Sequence, residues 1–398
     1  MNREDFEIFN DGLIYFDNAA TTQKPKQVVN SIVEYYTKYT ANAHRGDYDI
    51  SLKVDEKYES VREKVKNFIN AKSTKEIIFT KGSTESLNSV IFGFMSHYLK
   101  KDDEIILTKG EHASNVLPWI ILSKQLGLKI VYADLESDYS LSIEKIKEKV
   151  TDKTKVISIA HVTNAIGDVR PVNEIGKFCN DKNILFVVDA TQSIGHMKVD
   201  VEASFVSFLV FSAHKMLGPT GVGVLYGKED LLERLIPLEY GGGMNAMFYS
   251  SGDYELKELP HRLEAGTRNI AGVIGLGAAI DYLNGIGLDN IHNYEVELKR
   301  YLLNKIKTVP NIKIYNESTD SGILLFNLGE YFSQDVAIFL NNYKICIRAG
   351  NHCAKMLQEV IDKTNTCRIS LYFYNTKEEI DKLIEALLNQ DKIFDTIV

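Results

Sequence analysis

From residue 75 onward, short apolar runs alternate with longer stretches in which apolar residues recur every three or four positions. The runs Glu76–Thr80, Glu104–Thr108, Lys129–Tyr132, Val156–Ala160, Ile184–Asp189, Phe205–Phe211 and Val222–Tyr226 predict seven strands. Between them, residues 83–98, 116–126, 143–150 and 172–179 carry the helical period. Continuous apolar strands separated by amphipathic helices predict an α/β fold, with a largely parallel sheet covered on both faces. Ahead of this region, Leu13–Phe16 reads as a short strand, and helical patterns run from Pro25 to Tyr36 and from Ser51 to Phe68. Behind it, Gly241-Gly242-Gly243 marks a flexible or closely approached backbone. A helix over 273–283 then leads to Gly285-Ile286-Gly287, where the pattern changes. Helices at 294–306, 335–341 and 377–389 and strands at 312–315 and 322–327 predict a small α+β unit. The expected organisation is an N-terminal segment 1–15, a large domain 16–284 and a small C-terminal domain 285–398.

Composition narrows the classes. A length of 398 residues is enough for two or three domains, and 44% hydrophobic with 25% charged residues is ordinary for a globular chain. A net charge of −8 argues against a nucleic-acid partner and gives no attraction to anionic membranes. No apolar run approaches the roughly 18 residues of a membrane span, and the acidic start does not read as a signal peptide. Four unevenly spaced cysteines without a C-x-x-C pair fit neither a disulfide scaffold nor a zinc site. The expectation is a cytoplasmic protein in a reducing compartment, without a metal, where a cysteine is free to act as a catalyst.

In open α/β sheets, ligands bind beyond the carboxyl ends of the strands. Five polar clusters fall there: Thr80-Lys81-Gly82-Ser83-Thr84-Glu85-Ser86, Glu111-His112-Ala113-Ser114-Asn115, His161-Val162-Thr163-Asn164, Asp189-Ala190-Thr191-Gln192 and Ser212-Ala213-His214-Lys215. Each alone has a bland reading, as a helix cap, a satisfied histidine or a lysine reaching for water. Together they hold complementary parts. A Gly/Ser/Thr loop opening a helix binds an anion. A lysine leaving a sheet interior is desolvated toward the neutral amine that Schiff-base chemistry needs. A carboxylate can keep a ring nitrogen protonated, and a flat imidazole can stack on that ring. These are the parts that bind pyridoxal phosphate.

With these motifs, and with Tyr15-Phe16-Asp17-Asn18-Ala19-Ala20, His44-Arg45-Gly46, Gly218-Pro219-Thr220-Gly221 and Gly266-Thr267-Arg268-Asn269, the chain resembles the class V aminotransferases of the fold type I pyridoxal-phosphate enzymes. Within them it is most similar to the Suf-type cysteine desulfurases and the selenocysteine lyases. The resemblance implies that Lys215 forms the imine, His112 stacks on the ring, Asp189 pairs with the ring nitrogen and Gln192 with the ring hydroxyl. Thr84, Ser212 and His214 would hold the phosphate, with Ser83 a further candidate. Thr267 would reach the phosphate in a second subunit, so a homodimer with shared sites is implied. The N-terminal segment would pack with the small domain.

The stretch Ile347-Arg348-Ala349-Gly350-Asn351-His352-Cys353-Ala354-Lys355 selects the reaction. Polar and cationic neighbours favour a thiolate, and by resemblance Cys353 is the sulfur-accepting cysteine. Asn351 stands where the family commonly has histidine, which removes a titratable group near the thiol. Ala213, Arg268 and Cys367 also depart from the family's usual residues. Cys367-Arg368-Ile369-Ser370-Leu371 resembles the segment whose arginine, here Arg368, clamps a substrate carboxylate, helped by Asn164. The resemblance extends the substrate contacts to Arg348, His44 and Ala20. The expected activity converts L-cysteine to L-alanine with Lys215, His112 and Cys353 as catalytic residues, and passes sulfur to an acceptor protein or thiol, with iron–sulfur cluster assembly as one destination. The same parts would serve a selenocysteine lyase, a cysteine sulfinate desulfinase or another class V lyase or transaminase. A scaffold without catalysis would not need Lys215, Asp189 and Gln192 together.

Overall fold

In the computed structural model, which describes residues 3–43 and 46–394, the first strand β1 (Ile14–Tyr15) precedes helices Lys26–Lys38 and Asp49–Phe68. The alternating region supplies β2 (Ile77–Thr80), β3 (Glu104–Thr108), β4 (Lys129–Ala133), β5 (Thr154–Ala160), β6 (Leu185–Asp189), β7 (Phe208–Ser212) and β8 (Gly223–Gly227). These form one seven-stranded sheet in the order β2-β8-β7-β6-β5-β3-β4. From β7 to β4 all pairs are parallel, and β8 runs antiparallel to both its neighbours. The two-residue period sorts side chains between two cores. Phe186, Val188, Leu209 and Phe211 enter the core under helices 26–38, 49–68 and 270–286. Val187, Phe208 and Val210 enter the opposite core, beneath helix 117–126. Burial on both faces is why these strands read as unbroken apolar runs.

Past the sheet come a hairpin of β9 (Asn245–Phe248) and β10 (Tyr254–Leu256), then helices Ile270–Ile286 and Leu288–Ile306. The small unit follows with β11 (Ile312–Ile314), β12 (Ile323–Leu328), β13 (Ile345–Cys346), β14 (Arg348–Gly350) and β15 (Thr366–Ser370), helix Ser333–Asn341 between β12 and β13, and helix Lys377–Leu388 after β15. Its antiparallel sheet has the order β11-β12-β15-β14. It packs on a separate cluster that includes Leu298, Phe326, Phe339, Cys367 and Leu383. Helix 288–306 leaves helix 270–286 at 74°. It begins in the large core with Ile291 and ends in the small one with Leu298, Leu302 and Ile306. No single helix among the described residues is long and apolar enough to cross a membrane.

Four features differ from the expectations. The apolar run at 205–211 becomes strand only at Phe208, because Phe205 turns with φ +49° and is 40% exposed. The helix at 83–98 is π-helical over 89–95, where Gly93 lies against the Ile236 carbonyl so closely that a Cβ would approach it to 2.5 Å. The glycine-rich stretch leads into a hairpin that the apolar pattern does not predict. The N-terminal segment packs with the small unit and, beyond that, also reaches the large one. Asp5 accepts hydrogen bonds from Tyr282 (2.9 Å) and Gln27 (3.0 Å) on the large side. Arg3 pairs with Glu379 at 2.5 Å, and Ile14 pairs with Ile345 of β13 on the small side.

Candidate active site

Strand ends and the small unit's sheet enclose a cavity of about 240 Å³. β7 runs out of the sheet into the turn Ala213–Lys215, which places Lys215 at the cavity. Burial pushes its amine down to about 8, aided by the Arg368 guanidinium and opposed by Asp189. Near pH 8 a large fraction of Lys215 is therefore the neutral nucleophile. Lys24 Nζ donates to the His214 carbonyl at 3.1 Å and holds this turn from behind.

Asp189 ends β6 and is buried. Its Oδ1 accepts the Thr191 N–H at 3.0 Å and a short hydrogen bond from the Thr191 hydroxyl. Oδ2 has no partner among the described residues. Thr191 has one hydroxyl proton, and Asp189 takes it. Ser83 must then donate to Thr191 at 2.6 Å, and Ser212 must donate to Ser83 at 2.7 Å, while Ser212 accepts the Ser83 N–H at 2.8 Å. The proton order runs from Ser212 to Asp189, so the two serines expected at a phosphate also orient the carboxylate. Gly223 lets β8 pass here, since a Cβ on it would sit 2.4 Å from the Gly82 Cα.

The remaining anion donors cluster at the start of helix 83–88. The Thr84 hydroxyl lies 2.8 Å from that of Ser114. His214 contacts the Thr21 hydroxyl through Nδ1 at 3.2 Å, and burial, with the nearby Lys215 and Lys24, pushes it down to about 4. The neutral ring carries a single N–H. His112 accepts the Ser114 N–H on Nδ1 at 3.1 Å and is held below its usual range by burial against the pull of Asp189. It is a neutral, flat ring. Its loop rests on buried Glu111, which accepts from Thr108, Asn115, the Ala160 N–H and Arg170. Gln192 donates to the Ala19 carbonyl at 2.9 Å, and Ala20 lines the cavity beside it. An amine nucleophile, an oriented carboxylate with a bare oxygen, a neutral stacking ring and a hydroxyl-rich helix start fit pyridoxal phosphate.

The small unit supplies the opposite wall. Arg368 and Arg348 are direct cross-strand partners on β15 and β14. Asp17 offsets their like charge, at 2.8 Å from Arg368 and 4.0 Å from Arg348. Arg368 is 2% exposed, donates to the Asn164 carbonyl at 2.8 Å, and has a buried Nε without a partner. An incoming carboxylate would complete it. Asn164 gives an N–H to the His352 carbonyl at 2.5 Å, and its unpartnered Oδ1 is an acceptor, the wrong polarity for a carboxylate.

Cys353 lies on this wall and is exposed, whereas Cys179 and Cys367 are buried. His352 and Cys353 take φ of +53° and +58°, the left-handed region that costs a side chain roughly 1–2 kcal/mol. The expectation that His352 contributes positive charge to the thiol is not met. Burial, then Arg368 and Arg348, push the imidazole down to about 3, so it is neutral and Nε2 contacts the Thr366 hydroxyl at 2.9 Å. The guanidinium cations at the cavity are Arg348 and Arg368.

The geometry thus gathers Lys215, His112, Asp189, Gln192, Ser83, Thr84, Ser212, His214, Asn164, Arg348, Cys353, Arg368 and Ala20 around one cavity. Thr267 does not line it; exposed, it accepts from Asn42 at 3.3 Å. His44 lies outside the described residues. Sequence reasoning gave no role to Thr191, Asp17 or Lys24. For Thr191 a signal existed, because Asp-Ala-Thr after a strand is a side-chain turn that returns a hydroxyl to the carboxylate. Asp17 pairs with residues some 350 positions away, and no local pattern reports that.

The class-V aminotransferase family model matches residues 14–383. A probable cysteine desulfurase of Halalkalibacterium halodurans is 42% identical over 390 residues, covering 98% of this chain and 96% of that relative. The solved apo cysteine desulfurase of Thermococcus onnurineus superimposes with a TM-score of 0.94 at 38% identity, covering 98% of this chain and 97% of the other. The cysteine desulfurase CsdA of Escherichia coli gives 0.92 at 32% identity, covering 100% and 98%.

Proposed function

The chain belongs to the class-V aminotransferase family, and from that premise we propose that it is a pyridoxal-phosphate-dependent cysteine desulfurase. The observation that carries this reading is that Lys215, an exposed Cys353 and Arg368 all line one cavity, the first from the large sheet and the other two from the small unit. When bound, pyridoxal phosphate supplies a carbonyl for an amine and an electron-withdrawing ring. Lys215 holds it and moves a proton at the substrate α-carbon. Asp189 Oδ2 keeps the ring nitrogen protonated, Gln192 faces the ring hydroxyl, and the neutral His112 stacks on the ring and serves the sulfur side. Thr84, His214 and the Ser83/Ser212 pair face the phosphate. Arg368 clamps the substrate carboxylate, and Arg348, Asn164, Ala20 and His44 complete its surroundings.

The Cys353 thiolate attacks the substrate sulfur. A sulfur–sulfur bond forms as the carbon–sulfur bond breaks, the carbon fragment takes up a proton, and L-cysteine plus Cys353–SH becomes L-alanine plus Cys353–SSH. Exposure of Cys353 then lets a thiol or an acceptor protein collect the outer sulfur. The enzyme works as a homodimer in the cytoplasm. Thr267 on the surface and the exposed hairpin residues Met247, Phe248, Tyr249 and Tyr254 support a second copy seated there. The proposed domain division at 284/285 lies in the last turn of helix 270–286, just ahead of the helix 288–306 shared by both cores.

Cys353→Ala tests the reading. The variant keeps its bound, coloured cofactor and loses sulfur release from L-cysteine. Undiminished turnover would overturn it.

A further inference from the structure

The Cys353 loop is fastened to the large unit at two points, and a third fastening is its own. The Cys353 carbonyl accepts the Ala113 N–H at 2.8 Å, next to the stacking His112. The His352 carbonyl accepts from Asn164 at 2.5 Å. The His352 carbonyl and the Cys353 N–H are opposite edges of one planar peptide, so Asn164 holds that plane from its carbonyl edge, and a partner on the N–H edge completes the hold that sets the Cys353 φ. That N–H is taken by the Asn351 side chain, Oδ1 at 3.0 Å, while the Asn351 carbonyl accepts the Ala354 N–H at 2.8 Å. Side-chain oxygen to the N–H two residues on is the turn that asparagine, aspartate and, more weakly, serine form. The residue itself is exposed and makes no other side-chain hydrogen bond among the described residues.

We propose that Asn351 is a positioning residue for sulfur transfer, its side-chain oxygen holding the Cys353 N–H so that the thiol stays on the cavity wall. The proposal rests on the reading of Cys353 as sulfur acceptor. With Oδ1 gone, that peptide plane is held only through the His352 carbonyl, so the left-handed φ of +58° loses one of its restraints and the Cys353 Cβ swings with the loosened plane. The substrate clamp and the cofactor residues lie on other elements and do not move.

The test uses the holoenzyme and three variants, Asn351→Ala, Asn351→Asp and Asn351→Ser. Each is mixed with L-cysteine, and the arrival of sulfur on Cys353 is followed through the first turnover, alongside cofactor absorbance and the KM for cysteine. Asn351→Ala slows sulfur arrival about 10- to 100-fold, the scale of a displaced reacting group, with absorbance and KM unchanged. Asn351→Asp restores the rate and Asn351→Ser restores part of it. An alanine variant as fast as wild type, or aspartate and serine variants as slow as alanine, would overturn the proposal. Cys353→Ala separates the two ideas: if it still turns over cysteine at the wild-type rate, the acceptor reading fails whatever Asn351 does.

Discussion

The two walls of the cavity are built differently. On the large-sheet wall, Lys215, Asp189 and His112 sit at strand ends between two cores, and behind them Arg170 joins Glu111 and Asp168 with no exposed surface on the guanidinium. On the small-unit wall, Cys353 stands exposed on a left-handed loop, and Arg348 lies 41% exposed at 4.0 Å from Asp17. One wall resists motion while the other can present sulfur to something outside. The contrast teaches that holding a cofactor and handing over an atom place opposite demands on burial.

The sharpest way to break the contrast is Arg170→Met. It leaves Glu111 and Asp168 buried without their partner, and the expected loss is about 3–5 kcal/mol in denaturant unfolding. Arg348→Ala, which removes a guanidinium 41% exposed and 4.0 Å from Asp17, is expected to cost less than about 1 kcal/mol. Equal losses would mean the walls are equally rigid.

Arg368→Leu comes next. Removing charged hydrogen bonds to the substrate carboxylate raises the KM for L-cysteine by about 10- to 100-fold, read from initial rates. The same variant probes traffic between the walls. Lys215 reacts as the neutral amine, so cofactor uptake by the apoprotein rises with pH and levels off above about 8. Arg368 is the second cause of that lowering, after burial, so its loss moves the midpoint upward. A midpoint that stays put would show that the small unit exerts no field on Lys215. The smallest effect belongs to Cys367→Ala. Its thiol is buried in the small core, 3.6 Å from the Ser333 carbonyl. The expected cost is roughly 1 kcal/mol in thermal unfolding, with sulfur transfer unchanged.

The same division governs what the sequence made legible. The large-sheet wall was readable because parallel strands impose unbroken apolar runs and leave chemistry at their ends, so Lys215, Asp189 and His112 could be placed from periodicity alone. Cys353 and Arg368 became legible through resemblance, since β14 and β15 are short and neither shows alternation. Asp17 and Lys24 escaped because their roles depend on contacts 351 and 190 positions along the chain. The neutral His352 escaped because charge at a histidine is set by burial beside arginines, which sequence neighbours do not reveal.

In the proposed reaction, sulfur leaves L-cysteine onto Cys353 while Lys215 works the carbon side. A single turnover of the holoenzyme, quenched and analysed by peptide mass spectrometry with parallel amino-acid analysis, tests it directly. One alanine per site is expected, with a mass gain of one sulfur atom on the Cys353 peptide alone. Alanine formed with no sulfur on Cys353, or with sulfur on Cys346 instead, would contradict it.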